Sequence, residues 1–154
     1  MKSTFLKKTF IAASILATAG YASHALAHTA GATIDSAGNN ASATDLAQVI
    51  CFDDSNGSPD HILVEIQDLS PSVSGLLLSA QIFKDGHMTN TTDTVSGDAS
   101  YSNSAILKGG EGEYIISVSK TKYGARDFNI RYHCETANGV HTGTSEIPIV
   151  LQFQ

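Results

Sequence analysis

Basic residues are scarce in this sequence, and their scarcity excludes two classes of partner. Lysine and arginine together number 9 against 15 aspartates and glutamates, which gives a formal charge of −6. Nucleic acids and anionic membrane surfaces are bound through basic patches, which this composition does not supply. We therefore expect no nucleic-acid partner, and a surface that is compatible with cations or basic proteins.

The motifs of common catalytic sites are also missing. The chain has no G-x-S-x-G elbow, no phosphate-binding loop and no H-E-x-x-H zinc motif. A catalytic triad is recognised by its geometry and not by residue spacing, so the scattered serines and histidines do not indicate one. We expect a protein that is not an enzyme.

Long apolar runs are absent, and the one short run near the start has the pattern of an export signal. Three lysines precede an apolar stretch at residues 10–19, and Ala-Leu-Ala at residues 25–27 supplies the small residues of a cleavage site. The stretch is too short to span a bilayer as a helix. We predict that residues 1–27 are a cleaved signal peptide. Residues 28–154 would then form a periplasmic or secreted protein that is not inserted into a membrane.

The predicted mature chain is a single domain. Residues 28–154 number 127, which is enough for one hydrophobic core. Three of the nine basic residues belong to the signal peptide, so the formal charge of the domain is −9. Residues 28–44 are rich in small and polar side chains, and we expect them to form a loose arm or an edge strand.

Cysteine occurs only twice, as Cys51 and Cys134, and in no C-x-x-C motif. Exported domains fold in oxidising compartments, where two cysteines allow one intrachain pairing. We therefore predict one disulfide between Cys51 and Cys134 and not a redox centre or a thiolate metal site.

Apolar residues alternate with polar residues along most of the predicted domain. This period of two predicts half-buried antiparallel strands, six or seven in number, separated by turns such as Asp85-Gly86 and Asn138-Gly139. The predicted inward-facing positions are Ala47, Val49 and Cys51; Ile62, Val64 and Ile66; Leu76, Leu78, Ala80 and Ile82; Tyr114, Ile116 and Val118; Phe128, Ile130, Tyr132 and Cys134; and Ile147, Ile149, Leu151 and Phe153.

Two of these features resemble the immunoglobulin-like sandwich. Cys51 lies on an early strand and Cys134 on a late one, and Tyr132 precedes Cys134 by two residues, as in the tyrosine corner of that fold. The resemblance implies an all-β, immunoglobulin-like antiparallel β-sandwich with one disulfide. It also implies that Tyr132 faces inward, with its hydroxyl bonded to backbone near the start of its strand. Because the chain has no tryptophan, the tryptophan that packs on the disulfide in that fold is missing, and such a fold carries no function with it.

Cleavage after residue 27 would make His28 the first residue of the mature protein. An N-terminal histidine offers both its amine and its ring nitrogen to one metal ion, and with a second histidine it resembles the histidine brace of copper oxygenases and some periplasmic copper carriers. The resemblance implies a copper site formed by His28 and His141, which would lie at the same end if the first strand paired in parallel with the last. We predict an exported copper-binding or copper-carrier protein.

Two loops offer further metal ligands. The acidic loop at residues 53–60 presents oxygen atoms around a glycine turn, as calcium loops do. His87 and Met88 present a nitrogen and a sulfur, which suit copper. Both loops are also typical of exposed turns.

An alternative function needs no metal. His61 and His133 face outward by strand parity, where histidines are ordinary polar surface. Together with Arg131 and Asn129, His133 could belong to a strip that binds a protein. The alternative is therefore a structural or adhesive surface subunit that contacts other exported proteins through its strand edges.

Overall fold

The computed structural model describes residues 27–154, and within this range the fold is entirely β. Residues 1–26 of the predicted signal peptide lie outside the described residues. In the range described, no helix is long and apolar enough to cross a membrane. The strands are β1 (His28–Ile34), β2 (Thr44–Phe52), β3 (His61–Asp68), β4 (Leu78–Lys84), β5 (His87–Thr92), β6 (Ala105–Lys108), β7 (Gly112–Lys120), β8 (Arg126–Glu135), β9 (His141–Thr144) and β10 (Ile149–Gln152).

All ten strands belong to one antiparallel sheet that curls nearly into a barrel. Hydrogen-bonded neighbours follow the order β5-β4-β7-β2-β9-β8-β3-β6. Beside this path, β1 pairs with β8 and β10 pairs with β2. The predicted all-β antiparallel fold is confirmed, but the sheet is continuous and nearly closed and is not clearly divided into two layers.

The short strand β9 makes the sheet continuous. Thr142 pairs with Cys134 of β8, and Thr144 pairs with Cys51 of β2. The Cys51–Cys134 disulfide joins the same two strands, with 5.7 Å between the Cα atoms, which confirms the predicted pairing. Between the two threonines, Gly143 lies against β2 so closely that a Cβ atom there would clash with the carbonyl oxygen and ring of Phe52.

The core follows the predicted alternation in every run except the last. The inward-facing residues of β3, β4, β7 and β8 are buried, as are Val49 and Cys51 of β2, while Ala47 is partly buried. Alternation places these side chains on one face of the pleated sheet, and the curling of the sheet encloses that face. The sequence pattern therefore identifies most of the core.

The final apolar run is exposed, and the prediction that it faces the core is wrong. Ile147, Ile149, Leu151 and Phe153 are between 52% and 80% exposed. The reason is that β10 is a short edge strand that pairs only with β2, through an irregular register. Neither face of such a strand is fully covered by other elements.

The first strand, β1, is an edge strand along β8. It runs antiparallel to β8 and does not pair with the last strand. A buried ion pair follows it: Lys120 Nζ lies 2.7 Å from Asp35 Oδ2, and both side chains are at most 2% exposed. This pair holds the turn after β1 against the end of β7.

Tyr132 is fully buried, as predicted, but its hydroxyl does not bond near the start of its strand. The hydroxyl donates to the carbonyl of Glu146 at 3.1 Å, beyond β9. A hydroxyl that donates to a carbonyl four residues upstream occurs instead at Tyr114, which bonds to Gly110 at 2.8 Å. The predicted tyrosine-corner bond of Tyr132 is therefore wrong, because the chain after β9 lies over the Tyr132 hydroxyl.

Removing the disulfide should destabilise the domain. Cys134→Ser is expected to lower the free energy of unfolding by about 2 to 4 kcal/mol, because the bond closes a loop spanning 83 positions in the unfolded chain. Urea unfolding of the wild type and the variant would measure this. The double variant Cys51→Ser/Cys134→Ser controls for the thiol left behind, and an unchanged midpoint in both would contradict the prediction.

Truncating Tyr132 should remove both its packing and its hydrogen bond. Tyr132→Ala should cost about 3 to 5 kcal/mol, as large aromatic truncations in cores do. Tyr132→Phe keeps the ring and should cost only about 1 kcal/mol, the value of one hydrogen bond. Thermal or urea unfolding compares the two, and equal losses would show that ring packing is not the dominant contribution.

Candidate metal centre

Three neighbouring strands place a group of polar side chains on one patch of the sheet. In the ladder, Glu135 of β8 is opposite His61 of β3 on one side and His141 of β9 on the other. His133 precedes Glu135 by two residues and therefore shares its face. Cys134, which lies between them, faces the core, so the group lies on the side of the sheet away from the core.

The carboxylate of Glu135 lies at the centre of this group. Its Oε1 is 2.9 Å from Nε2 of His133 and 3.5 Å from Nε2 of His141. Its Oε2 is 3.1 Å from Nε2 of His61. Three imidazole nitrogens from three strands therefore converge on one carboxylate.

The two imidazoles on the β9 side are close to each other. The rings of His133 and His141 stack with 4.0 Å between their centroids and 22° between their planes. One ligand atom from each of His133, Glu135 and His141 lies within 4.8 Å of the others. At this separation all three side chains can reach one ion. Imidazole nitrogen with carboxylate oxygen is a set of donors that zinc and copper accept.

His61 supports the group from β3. Its Nδ1 lies 3.0 Å from Oδ2 of Asp60, so the ring connects two carboxylates, Asp60 and Glu135. Hydrogen bonds from His61 and Lys108 hold the pKa of Asp60 below its ordinary value. A carboxylate behind an imidazole fixes the orientation of the ring, as it does for histidines in metal sites.

His133 is the most enclosed histidine of the group, at 8% exposure. Burial disfavours its charged form and lowers the pKa of His133, and a positive charge on His141 lowers it further, while Glu135 and Glu65 act in the opposite direction. Its Nδ1 is buried without a hydrogen-bond partner. The side chain is therefore held largely as neutral imidazole, the form that binds metals.

The structure separates the side chains of the two histidines predicted to form a brace. His28 lies opposite Tyr132, and its ring stacks on that tyrosine at 5.7 Å. His141 instead stacks on His133. Because Tyr132 and His133 are adjacent in β8, they face opposite sides of the sheet. The structure thus brings His141 to His133 and Glu135 and directs the ring of His28 to the other side.

The two loops with further ligands have other contacts. Oδ1 of Asp53 accepts the backbone N–H groups of Ser55 at 2.8 Å and Gly57 at 3.3 Å, so this carboxylate organises the acidic turn. In the β4–β5 hairpin, Nδ1 of His87 lies 3.1 Å from a backbone carbonyl, and Met88 is exposed. Among residues 27–154, neither loop contributes to a group of three close ligands.

Sequence reasoning assigned His61 and His133 to ordinary polar surface and missed their convergence. A signal was present, because His133 and Glu135 are two residues apart on a strand and must share a face. The identity of the neighbouring strands was missing. Only the pairing of β3 and β9 with β8 shows that His61 and His141 flank Glu135.

No protein-family model, no curated protein and no solved structure matches the chain. The function of the site is therefore inferred from its own residues and their geometry.

The free energy of unfolding of the metal-free protein should decrease as the pH falls below about 6.5, the ordinary pKa of histidine. The pKa of His133 is lower in the folded protein, so the unfolded chain binds this proton more readily. The contribution of neutral His133 to the free energy of unfolding is fully present above pH 6.5. It is lost as the pH falls towards the pKa of His133 in the folded protein. The charged and titratable groups that act on this ring are His141, Glu135 and Glu65, and a substitution of His133 leaves all three in place.

Urea unfolding in the presence of a chelator, at pH values on both sides of 6.5, measures this effect. His133→Phe keeps a planar ring without the titrating group, and its stability should depend less on pH than that of the wild type. An equal pH dependence in both proteins would show that other groups are responsible.

Proposed function

We propose that this chain is an exported copper-binding or copper-carrier protein whose ion is held by His133, Glu135 and His141, with His61 beside them. The observation that supports this is the convergence of three imidazole Nε2 atoms on the Glu135 carboxylate across three adjacent strands. Among divalent first-row metals, Cu²⁺ binds nitrogen and oxygen ligand sets most strongly, and imidazole also suits Zn²⁺.

The charges around the site favour a cation. Glu135 brings one negative charge to the histidines, and Asp60 stands behind His61. The predicted mature domain carries a formal charge of −9, which raises the local concentration of cations at its surface. Such a field attracts metal ions in general, and the imidazoles provide the preference for copper or zinc over calcium or magnesium.

Processing would add one more ligand. In the register of β1, His28 is opposite Tyr132, so the position before it is opposite His133. Cleavage after residue 27 would leave the α-amine of His28 beside His133. The predicted contribution of the N-terminus to a copper site is then made by the amine, while the ring of His28 remains against Tyr132.

Export and an immunoglobulin-like topology are parts of the same proposal. A disulfide is compatible with a periplasmic or extracellular location. The joining of an early strand to a late one by Cys51 and Cys134 supports the immunoglobulin-like resemblance. The continuity of the sheet through β9 is a departure from that fold.

The chain that begins at His28 should bind one Cu²⁺ ion per molecule, measured by calorimetric titration with Zn²⁺ as the competing ion. His133→Ala and His141→Ala should each weaken binding by at least about 10- to 100-fold, which is the cost of losing even a supporting partner of a metal ligand. His87→Ala removes an exposed histidine from the β4–β5 hairpin and should leave the affinity unchanged.

Three results would decide against the proposal or refine it. Absence of binding, or equal affinity in His141→Ala and the wild type, would exclude the site. Tighter binding of Zn²⁺ than of Cu²⁺ would keep the site and change the metal. One residue added before His28 should weaken binding if the amine is a ligand, and unchanged affinity would limit the site to the side chains.

A further inference from the structure

Past β9 the sheet splits, and an open groove of about 350 Å³ lies between β1 and β10. Just beyond the ends of these two strands, the N–H of Asp35 donates to the carbonyl of Gln154 at 2.6 Å. This bond closes one end of the groove. Core side chains from β7 and β8 form its floor, among them Ile116, Val118 and Phe128.

The strands beside the groove have free backbone edges. Within residues 27–154, β1 pairs only with β8, and β10 pairs only with β2. In an antiparallel ladder alternate residues direct their N–H and C=O groups away from the partner strand. The two strands therefore present backbone donors and acceptors towards the groove, and such edges recruit an additional strand.

The directions of the two edges match each other. Tracing the antiparallel pairings from β1 through β8, β9 and β2 to β10 gives β1 and β10 the same direction. A strand that enters the groove in the opposite direction would be antiparallel to both edges. Its first residues would then lie at the end closed by Asp35 and Gln154.

Small side chains on β1 create the space. Of the β1 residues that pack against the core, Ile34 is large and fully buried, whereas Ala30 and Ala32, which line the groove, are small. The groove is consequently apolar but not filled. Alternate apolar side chains of an added strand would complete this part of the core.

A buried carboxylate at the closed end has an unused hydrogen-bonding atom. Asp45 is 7% exposed and lines the groove; its Oδ1 accepts the N–H of Gln154 at 2.8 Å, and its Oδ2 has no partner. Burial raises the pKa of Asp45, while the bond from Gln154 acts in the opposite direction. The buried cation nearby, Lys120, already donates to Asp35 and to the carbonyls of Asn40 and Lys122.

We propose that the groove between β1 and β10 binds an extended strand of another protein, antiparallel to both edges, with alternate apolar side chains on the groove floor and a lysine or arginine near its start that pairs with Asp45. A second copy of this chain fits less well. Neither β1 nor residues 147–154 contain a lysine or an arginine, and two domains with charge −9 repel each other. This site is separate from the proposed metal site and does not depend on it.

A fluorescent peptide of alternating valine and threonine tests the proposal by polarisation. With lysine at its first position the peptide should bind, and with lysine at its last position it should bind about tenfold more weakly or worse, since the charge-assisted bond to Asp45 is lost. Asp45→Asn should remove this difference between the peptides. Asp98→Asn, a change in an exposed turn, should preserve it.

Filling the groove provides a second test. Ala32→Leu should abolish peptide binding, with Ala30→Leu as the substitute if the first variant fails to fold. Hydrogen exchange of the wild type should show that the peptide protects amides of β1 and β10. No binding of either peptide to the wild type, protection elsewhere, or binding of a fluorescent fatty acid in place of the peptide would overturn the proposal.

Discussion

Strands β2 and β8 are joined twice at the same position along their lengths. The Cys51–Cys134 disulfide links them covalently, and β9 pairs with both strands at these two cysteines. On one side of this junction, the start of β9 holds His141 beside Glu135. On the other side β9 ends, and the two joined strands acquire different neighbours, β10 for β2 and β1 for β8. The histidine cluster and the groove are both consequences of where this one short strand lies.

The buried polar groups of the domain differ in how completely they are hydrogen-bonded. Lys120 and Asp35 form a pair in which every donor of the lysine has a partner. Burial of such a pair is tolerated because each charge is compensated. Among the described residues, four buried side-chain atoms have no hydrogen-bond partner: Oδ2 of Asp45, Nδ1 of His133, Nδ1 of His28 and Nε of Arg126. Buried polar atoms left unsatisfied are costly, and two of these four belong to residues of the proposed sites, Asp45 and His133.

The sequence was sufficient to predict the strands with alternating apolar residues and the disulfide. The period of two is a local signal and the even cysteine count is a compositional one. These signals were not sufficient for β9, whose sequence His-Thr-Gly-Thr has no apolar alternation and whose buried positions are threonine and glycine. The partners of His141 follow from the register of that strand. Alternation also shows which residues share a face without showing whether that face is covered, and for this reason Ile149 and Leu151 were assigned to the core.

Gly143 sets a limit on how this domain can diverge. Any side chain at that position would meet the carbonyl oxygen and ring of Phe52, and β9 would have to move away from β2. Such a movement would open the junction that positions His141. The same junction bounds the groove at the end opposite Asp35 and Gln154. In related sequences we therefore expect Gly143 to tolerate less variation than the histidines do, since β9 must lie against β2 in order to fold whether or not a metal is bound.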